Sequence, residues 1–195
     1  LKSTFDGNQT GLWVISYPKN NFTSINANGN VSSGIMADNS QSDLYSPIVV
    51  NGISQVNRNG DDPSNLSKGL WLASSGAITV SGVSASWNGI GLFVENPYRP
   101  SAVTISNSQV DNSLSYGIRT GRDETLPAGL VTLSGVRVFA NGFDDDAPGV
   151  YVISNAKVTV TGGYYMGNAG AGIELNLKTG LGSFTISPTT VLFGN

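Results

Sequence analysis

The chain contains no cysteine and no histidine. The first absence excludes a disulfide framework and thiolate metal sites; the second excludes His-based catalytic triads and the usual zinc ligand sets. Charge is also scarce, at 12% of residues, with a formal net charge of -3. A chain so poor in Lys and Arg carries no basic patch to neutralise a phosphate backbone, so nucleic acid is not an expected partner. No apolar run approaches the ~18 residues needed to span a bilayer, and membrane insertion is not expected either.

In place of charge the chain uses Ser, Thr and Asn, which hydrate without ionising, a composition more typical of proteins outside the cell. The chain opens on Leu1 with neither a signal peptide nor a start methionine, and closes on Asn195 in mid-repeat. It is therefore expected to be an excised or processed part of a larger extracellular or virion protein. Its 195 residues suffice for one sizeable core, and with no linker visible a single domain over 1–195 is expected.

Two short phrases recur. The first is Gly, aliphatic, any residue, aliphatic: Gly11-Leu12-Trp13-Val14, Gly34-Ile35-Met36-Ala37, Gly69-Leu70-Trp71-Leu72, Gly89-Ile90-Gly91-Leu92, Gly117-Ile118-Arg119-Thr120, Gly149-Val150-Tyr151-Val152 and Gly172-Ile173-Glu174-Leu175. The second alternates with period 2 and closes on asparagine, as in Ile78-Thr79-Val80-Ser81 running to Asn88 and Val131-Thr132-Leu133-Ser134 running to Asn141. Constant phrases at unequal spacing mean fixed strands joined by variable loops. Each unit reads as three short strands with apolar residues inward and polar residues outward. Each strand should pair, parallel and in register, with its equivalent in the next unit. Stacked units bury one apolar column, and crossover chirality makes the coil right-handed. The fold class is all-β: a single-stranded right-handed parallel β-helix, a solenoid of about seven coils. Gly69 is expected to turn the corner, and Asn88, Asn112, Asn141 and Asn168 to take the left-handed backbone of a sharp turn and form an internal ladder.

These phrases resemble the repeats of the pectate-lyase-like right-handed β-helix superfamily, over essentially the whole chain from Gly11. The resemblance implies architecture more than activity, because that superfamily includes polysaccharide lyases, polygalacturonases, phage tailspikes and non-enzymatic surface adhesins. Asn59-Gly60-Asp61-Asp62 is superficially similar to the paired aspartates of polygalacturonases, but the supporting motifs of that family need a histidine that this chain lacks.

Several side-chain sets are candidates for function. The outward position of the Gly phrase reads Trp13, Met36, Trp71, Phe93 (if the fourth unit registers on Gly91), Arg119, Tyr151 and Glu174. Stacked on one face, they would form a row able to grip sugar rings or to be buried against protein. Asp61 and Asp62, and Asp144, Asp145 and Asp146, lie in loops where clustered carboxylates could bind Ca²⁺ or act as general acid and base. Calcium is the one cofactor the sequence suggests, at Asp144, Asp145 and Asp146; otherwise none is expected. Loops of neighbouring rungs should bring Glu95, Tyr98 and Arg99 beside Arg119, Arg122, Asp123 and Glu124. The outward row Thr79, Thr104, Thr132, Thr159 and Thr185 reads as a hydrated strand face.

The expectation is a structural and binding module of an adhesin or tailspike-like protein, located outside the cell or on a virion. Its expected partners are a polysaccharide or neighbouring protein chains, in a homo-oligomer or stacked assembly. The enzymatic alternative is a glycoside hydrolase or polysaccharide lyase drawing on Asp61, Asp62, Asp144, Asp145, Asp146 and Glu95. A third possibility is a subunit of a head-to-tail filament.

Overall fold

The computed structural model describes residues 2–52, 54–60, 67–123, 125–178 and 182–195. The strands assemble into three parallel sheets, each built from one strand per coil. The Gly phrases form the first sheet: Thr10–Ile15, Ser33–Asn39, Lys68–Ser74, Ile90–Glu95, Ile118–Thr120, Val150–Ser154 and Ile173–Leu177. The period-2 phrases form the second: Asn20–Thr23, Ile48–Asn51, Ile78–Ser81, Val103–Ser106, Val131–Ser134, Val158–Thr161 and Phe184–Ile186. The third contains Ser3–Thr4, Ile25–Asn26, Ser54–Gln55, Val83–Ser86, Gln109–Asp111, Arg137–Phe139, Tyr164–Met166 and Val191–Phe193. Among the described residues no helix is long and apolar enough to cross a membrane.

Like pairs with like across the coils. In the second sheet Val103 sits between Ile78 and Val131, and Thr104 between Thr79 and Thr132. The β-branched residues favoured on a pleated surface therefore fill both its faces. The inward sets close into one column in which Ile35, Leu70, Leu92, Ile118, Val150, Ile105 and Leu133 have no exposed surface. Burying each such side chain stabilises the stack by about 1.5–3 kcal/mol before conformational entropy is counted.

The register corrects the fourth Gly phrase. Leu92 pairs with Leu70 and Phe93 with Trp71, so the unit is aligned on Gly91 and not on Gly89.

The asparagine ladder is real but differs from the expected one. The backbone and side-chain N–H groups of Asn59 both donate to Oδ1 of Asn88 at 3.0 Å, and Asn30 does the same to Asn59. Asn141, Asn168 and Asn195 repeat the pattern. Between the two runs the ladder position is held by Ser113, whose N–H donates to Asn141 Oδ1, while Asn112 stands one residue earlier and bonds to Asp111. The left-handed turn likewise falls on the residue before the ladder: Arg58 (φ 53°), Trp87 (59°), Asn112 (54°) and Ala140 (54°).

Gly69 is not a left-handed corner residue. A Cβ there would lie 2.6 Å from Nδ2 of Asn88 and 2.7 Å from the Gly91 carbonyl oxygen. The same conflict arises between Gly34 and Asn59, Gly117 and Asn141, Gly149 and Asn168, and Gly172 and Asn195. The glycine column is the space into which the asparagine amides pack. At Gly91, where Ser113 replaces asparagine, a methyl of Val110 fills that space instead.

Candidate functional site

Pairing along the first sheet places Trp13, Met36, Trp71, Phe93, Arg119, Tyr151 and Glu174 in one lateral row. The expected set is brought together, but it is less open than an outward stripe suggests. Trp13 and Glu174 are exposed, whereas the five between them are half-buried against one another and against flanking side chains.

Those flanks make the centre of the row a polar and aromatic network. The Arg119 guanidinium lies over the rings of Phe93 (5.3 Å) and Tyr116 (5.4 Å), and Tyr116 stacks on Tyr151 with centroids 5.5 Å apart. The Lys68 ammonium stands 5.9 Å from the Phe93 centroid. Burial lowers the Lys68 pKa, as does Arg119, against the opposing pull of Glu95. Burial also raises the pKa of the Tyr116 hydroxyl.

Glu95 is the buried charge of this network. It occupies an outward position two residues after Phe93 and is only 3% exposed. Nε1 of Trp71 donates to Oε1 at 2.8 Å, while Oε2 has no hydrogen-bond partner among the described residues. Arg122, itself largely exposed, approaches Oε2 at 3.9 Å. Desolvation raises the carboxyl pKa, opposed by the Trp71 hydrogen bond and by Arg122 and Lys68, and reinforced by Asp38.

Asp38 is a site residue that the sequence reading missed. It pairs with Ala73, and Ala73 with Glu95, so the two carboxylates share a row with one rung between them. That is two strand spacings, about 9.6 Å along the stack. The signal was present as an acidic residue four positions after Gly34, matching Glu95 four positions after Gly91, but it depended on the Gly91 register.

Other expected residues go elsewhere. The Tyr98 hydroxyl accepts a hydrogen bond from Gln41 at 2.6 Å and Arg99 lies over the Tyr45 ring at 4.9 Å, so this loop leans back toward earlier coils and away from Arg122 and Asp123. Asp123 caps its own turn: Oδ1 accepts from the Thr125 hydroxyl and from the N–H groups of Thr125 and Leu126, and these bonds lower its pKa. Asp144, Asp145 and Asp146 are exposed; Asp145 accepts from the Ser115 hydroxyl at 2.7 Å and from Ala147 N–H. Among the described residues no group of three or more acidic side chains converges as metal ligands would. Asp61, Asp62 and Glu124 lie outside the described residues.

The outer face of the third sheet holds a second feature that the sequence reading missed. Phe139, Met166 and Phe193 stack in one row, with Arg137 and Tyr164 beside them, around a cavity of about 670 Å³. The alternation was legible, but it was assigned only to the core.

Compared with known proteins, residues 48–187 match the family model described as right handed beta helix region. No curated protein and no solved structure matches the chain. With three parallel sheets stacked coil on coil and a family match over more than half its length, the chain belongs to the right-handed β-helix family.

Proposed function

We propose that the chain is the binding part of an extracellular surface or virion protein, of the adhesin or tailspike kind, and that the outer face of the first sheet grips a glycan. The observation that carries this reading is Glu95. Buried polar atoms are nearly always paired, so a buried carboxylate oxygen lacking a hydrogen-bond donor is a place where a ligand donor fits. Here Oε1 is fixed by Trp71, and among the described residues Oε2 has no hydrogen-bond donor, only the Arg122 guanidinium at 3.9 Å. A sugar hydroxyl supplies that donor once the exposed Arg122 side chain swings aside, while Trp71 and Phe93 offer rings on adjacent rungs ~4.8 Å apart, with Tyr151 two rungs beyond Phe93. The test is a glycan array probed with the wild type, the Trp13→Ala/Trp71→Ala pair and Glu95→Gln. A retained glycan should be lost from both variants, and unchanged affinity ends the proposal. If no glycan is held and sedimentation shows self-association that these variants abolish, the row is instead a contact between copies of the chain.

A second reading rests on Asp38 and Glu95. Inverting glycoside hydrolysis uses two carboxyls about 6.5–9.5 Å apart, one protonated and one ionised. Glu95, whose pKa burial raises, suits the proton donor, and Asp38 would activate water two rungs away. Incubation with neutral and acidic polysaccharides should then release reducing ends, and Glu95→Gln should abolish release. No product from any of them removes this reading.

A further inference from the structure

Away from the first-sheet row, Arg58 and Trp87 occupy successive positions at the left-handed corner between the third sheet and the asparagine ladder, one rung apart. The corner itself asks for no side chain: Gly29 and Gly167 fill it in other coils and Ala140 in another, all with φ near 54–61°. A tryptophan there is costly twice over. A non-glycine residue in this conformation costs roughly 1–2 kcal/mol, and Trp87, at 58% exposed, recovers little of that through burial. The fold therefore gives no reason for these two large side chains.

Their surroundings supply one. Two adjoining depressions of about 370 and 320 Å³ share Arg58 and Trp87 as walls. The first is completed by Asn112 and Leu114, the second by Gln55, Asn57 and Ser86. Oδ1 of Asn57 is used by the N–H of Ser86, which leaves the Nδ2 donor unengaged by any described residue. The Gln55 amide and the Arg58 guanidinium are likewise unengaged among the described residues. The nearby Asp111 carboxylate is taken up by the Ser86 hydroxyl and by Nδ2 of Asn112, so the Arg58 side of the corner is rich in free donors.

We propose that this corner is a second carbohydrate site and that it takes a carboxylated pyranose. The apolar face of the sugar stacks on the Trp87 indole, its carboxylate meets the planar fork of Arg58, and the amides of Gln55 and Asn57 donate to ring oxygens or hydroxyls. A uronate in a polysaccharide and a sialate at a glycan terminus present the same chemistry.

The test is an array of uronate-bearing and sialate-bearing oligosaccharides with neutral oligomers of equal length, probed with the wild type, Trp87→Gly, Arg58→Gln and the Trp13→Ala/Trp71→Ala pair. Glycine suits the left-handed corner, so Trp87→Gly should melt no lower than the wild type while losing at least tenfold in affinity for the carboxylated glycans. Arg58→Gln should lose the preference for carboxylated over neutral sugars, and the Trp13→Ala/Trp71→Ala pair should keep it. Whichever acidic class is retained identifies the source of the carboxylate. Retention of neutral glycans only, retention of none, or unchanged binding by Trp87→Gly overturns the proposal. Loss confined to the Trp13→Ala/Trp71→Ala pair overturns it while leaving the first-sheet reading intact.

Discussion

Tyr165 faces inward on the third sheet between Val138 and Leu192, fully buried, and its hydroxyl has no hydrogen-bond partner among the described residues. Burial alone pushes its pKa far above the ordinary value. Removing an unpaired buried hydroxyl while keeping the ring relieves its desolvation cost, so Tyr165→Phe should stabilise the chain by about 1 kcal/mol in denaturant titration. Glu95 makes the opposite kind of statement, about pH. Its pKa is raised on folding from an ordinary value of 4.5, so the folded state binds that proton more tightly than the unfolded state does. The stability this adds is fully present below the ordinary value and is lost as pH rises through the raised one. Glu95→Gln should therefore melt higher than the wild type near neutral pH, with the gap closing as melts are repeated toward about pH 4. Neither effect could be read from the sequence. Tyr165 looks like any aromatic in an alternating strand, and an acid after an apolar strand looks like a surface residue until Trp71 and Arg122 from other coils are brought against it.

Within the coil, the unit of cohesion is a glycine and an asparagine from adjacent rungs. Asn88 accepts two hydrogen bonds from Asn59 and donates to the Val56 carbonyl at 2.7 Å, in space that Gly69 leaves free. Asn88→Ala orphans those partners and should cost about 2–4 kcal/mol. Gly69→Ala should cost about 1–3 kcal/mol by overpacking. Because the two changes remove the same contact from opposite sides, the double variant should fall short of their sum by about 1 kcal/mol in a double-mutant cycle. Both residue types were visible as repeats in the sequence and the ladder was expected of the asparagines, but both types were also assigned the left-handed corner. Asparagine and glycine are the two residues that best tolerate a left-handed backbone, so their presence marks a corner without saying which position turns it. The structure puts the turn one residue before the ladder, on Arg58, Trp87, Asn112 or Ala140, and uses the ladder asparagines for bonding and the glycines of the first sheet for room.

Among the described residues each strand pairs only with its equivalents in adjacent coils, and the stack of parallel coils was legible because period-2 alternation and constant phrases survive any loop length. Which loop leans on which was not: Tyr98 and Arg99 turn toward Gln41 and Tyr45, two coils back, and no strand pattern encodes the direction a loop takes. A quasi-one-dimensional column should lose structure from its ends. The core-facing Ile186 and Leu192 of the last coil are exposed, while Ile105 and Leu133 in the middle have no exposed surface. In this 195-residue chain, hydrogen exchange should be slowest in Val103–Ser106 and Val131–Ser134 and fastest in Phe184–Ile186 and Val191–Phe193. Uniform protection along the stack would show that the coils unfold as a single cooperative block.

The corner that carries Arg58, Trp87, Asn112 and Ala140 also bears on how such a rod could change over generations. Arg58 and Trp87 show that a coil can carry there a side chain that stands clear of the core, at a fixed pitch of ~4.8 Å. Exchanging one non-glycine residue there for another disturbs little of the column's packing, so a lineage could acquire a new specificity by rewriting a short line of letters and leaving the grammar of the coil untouched.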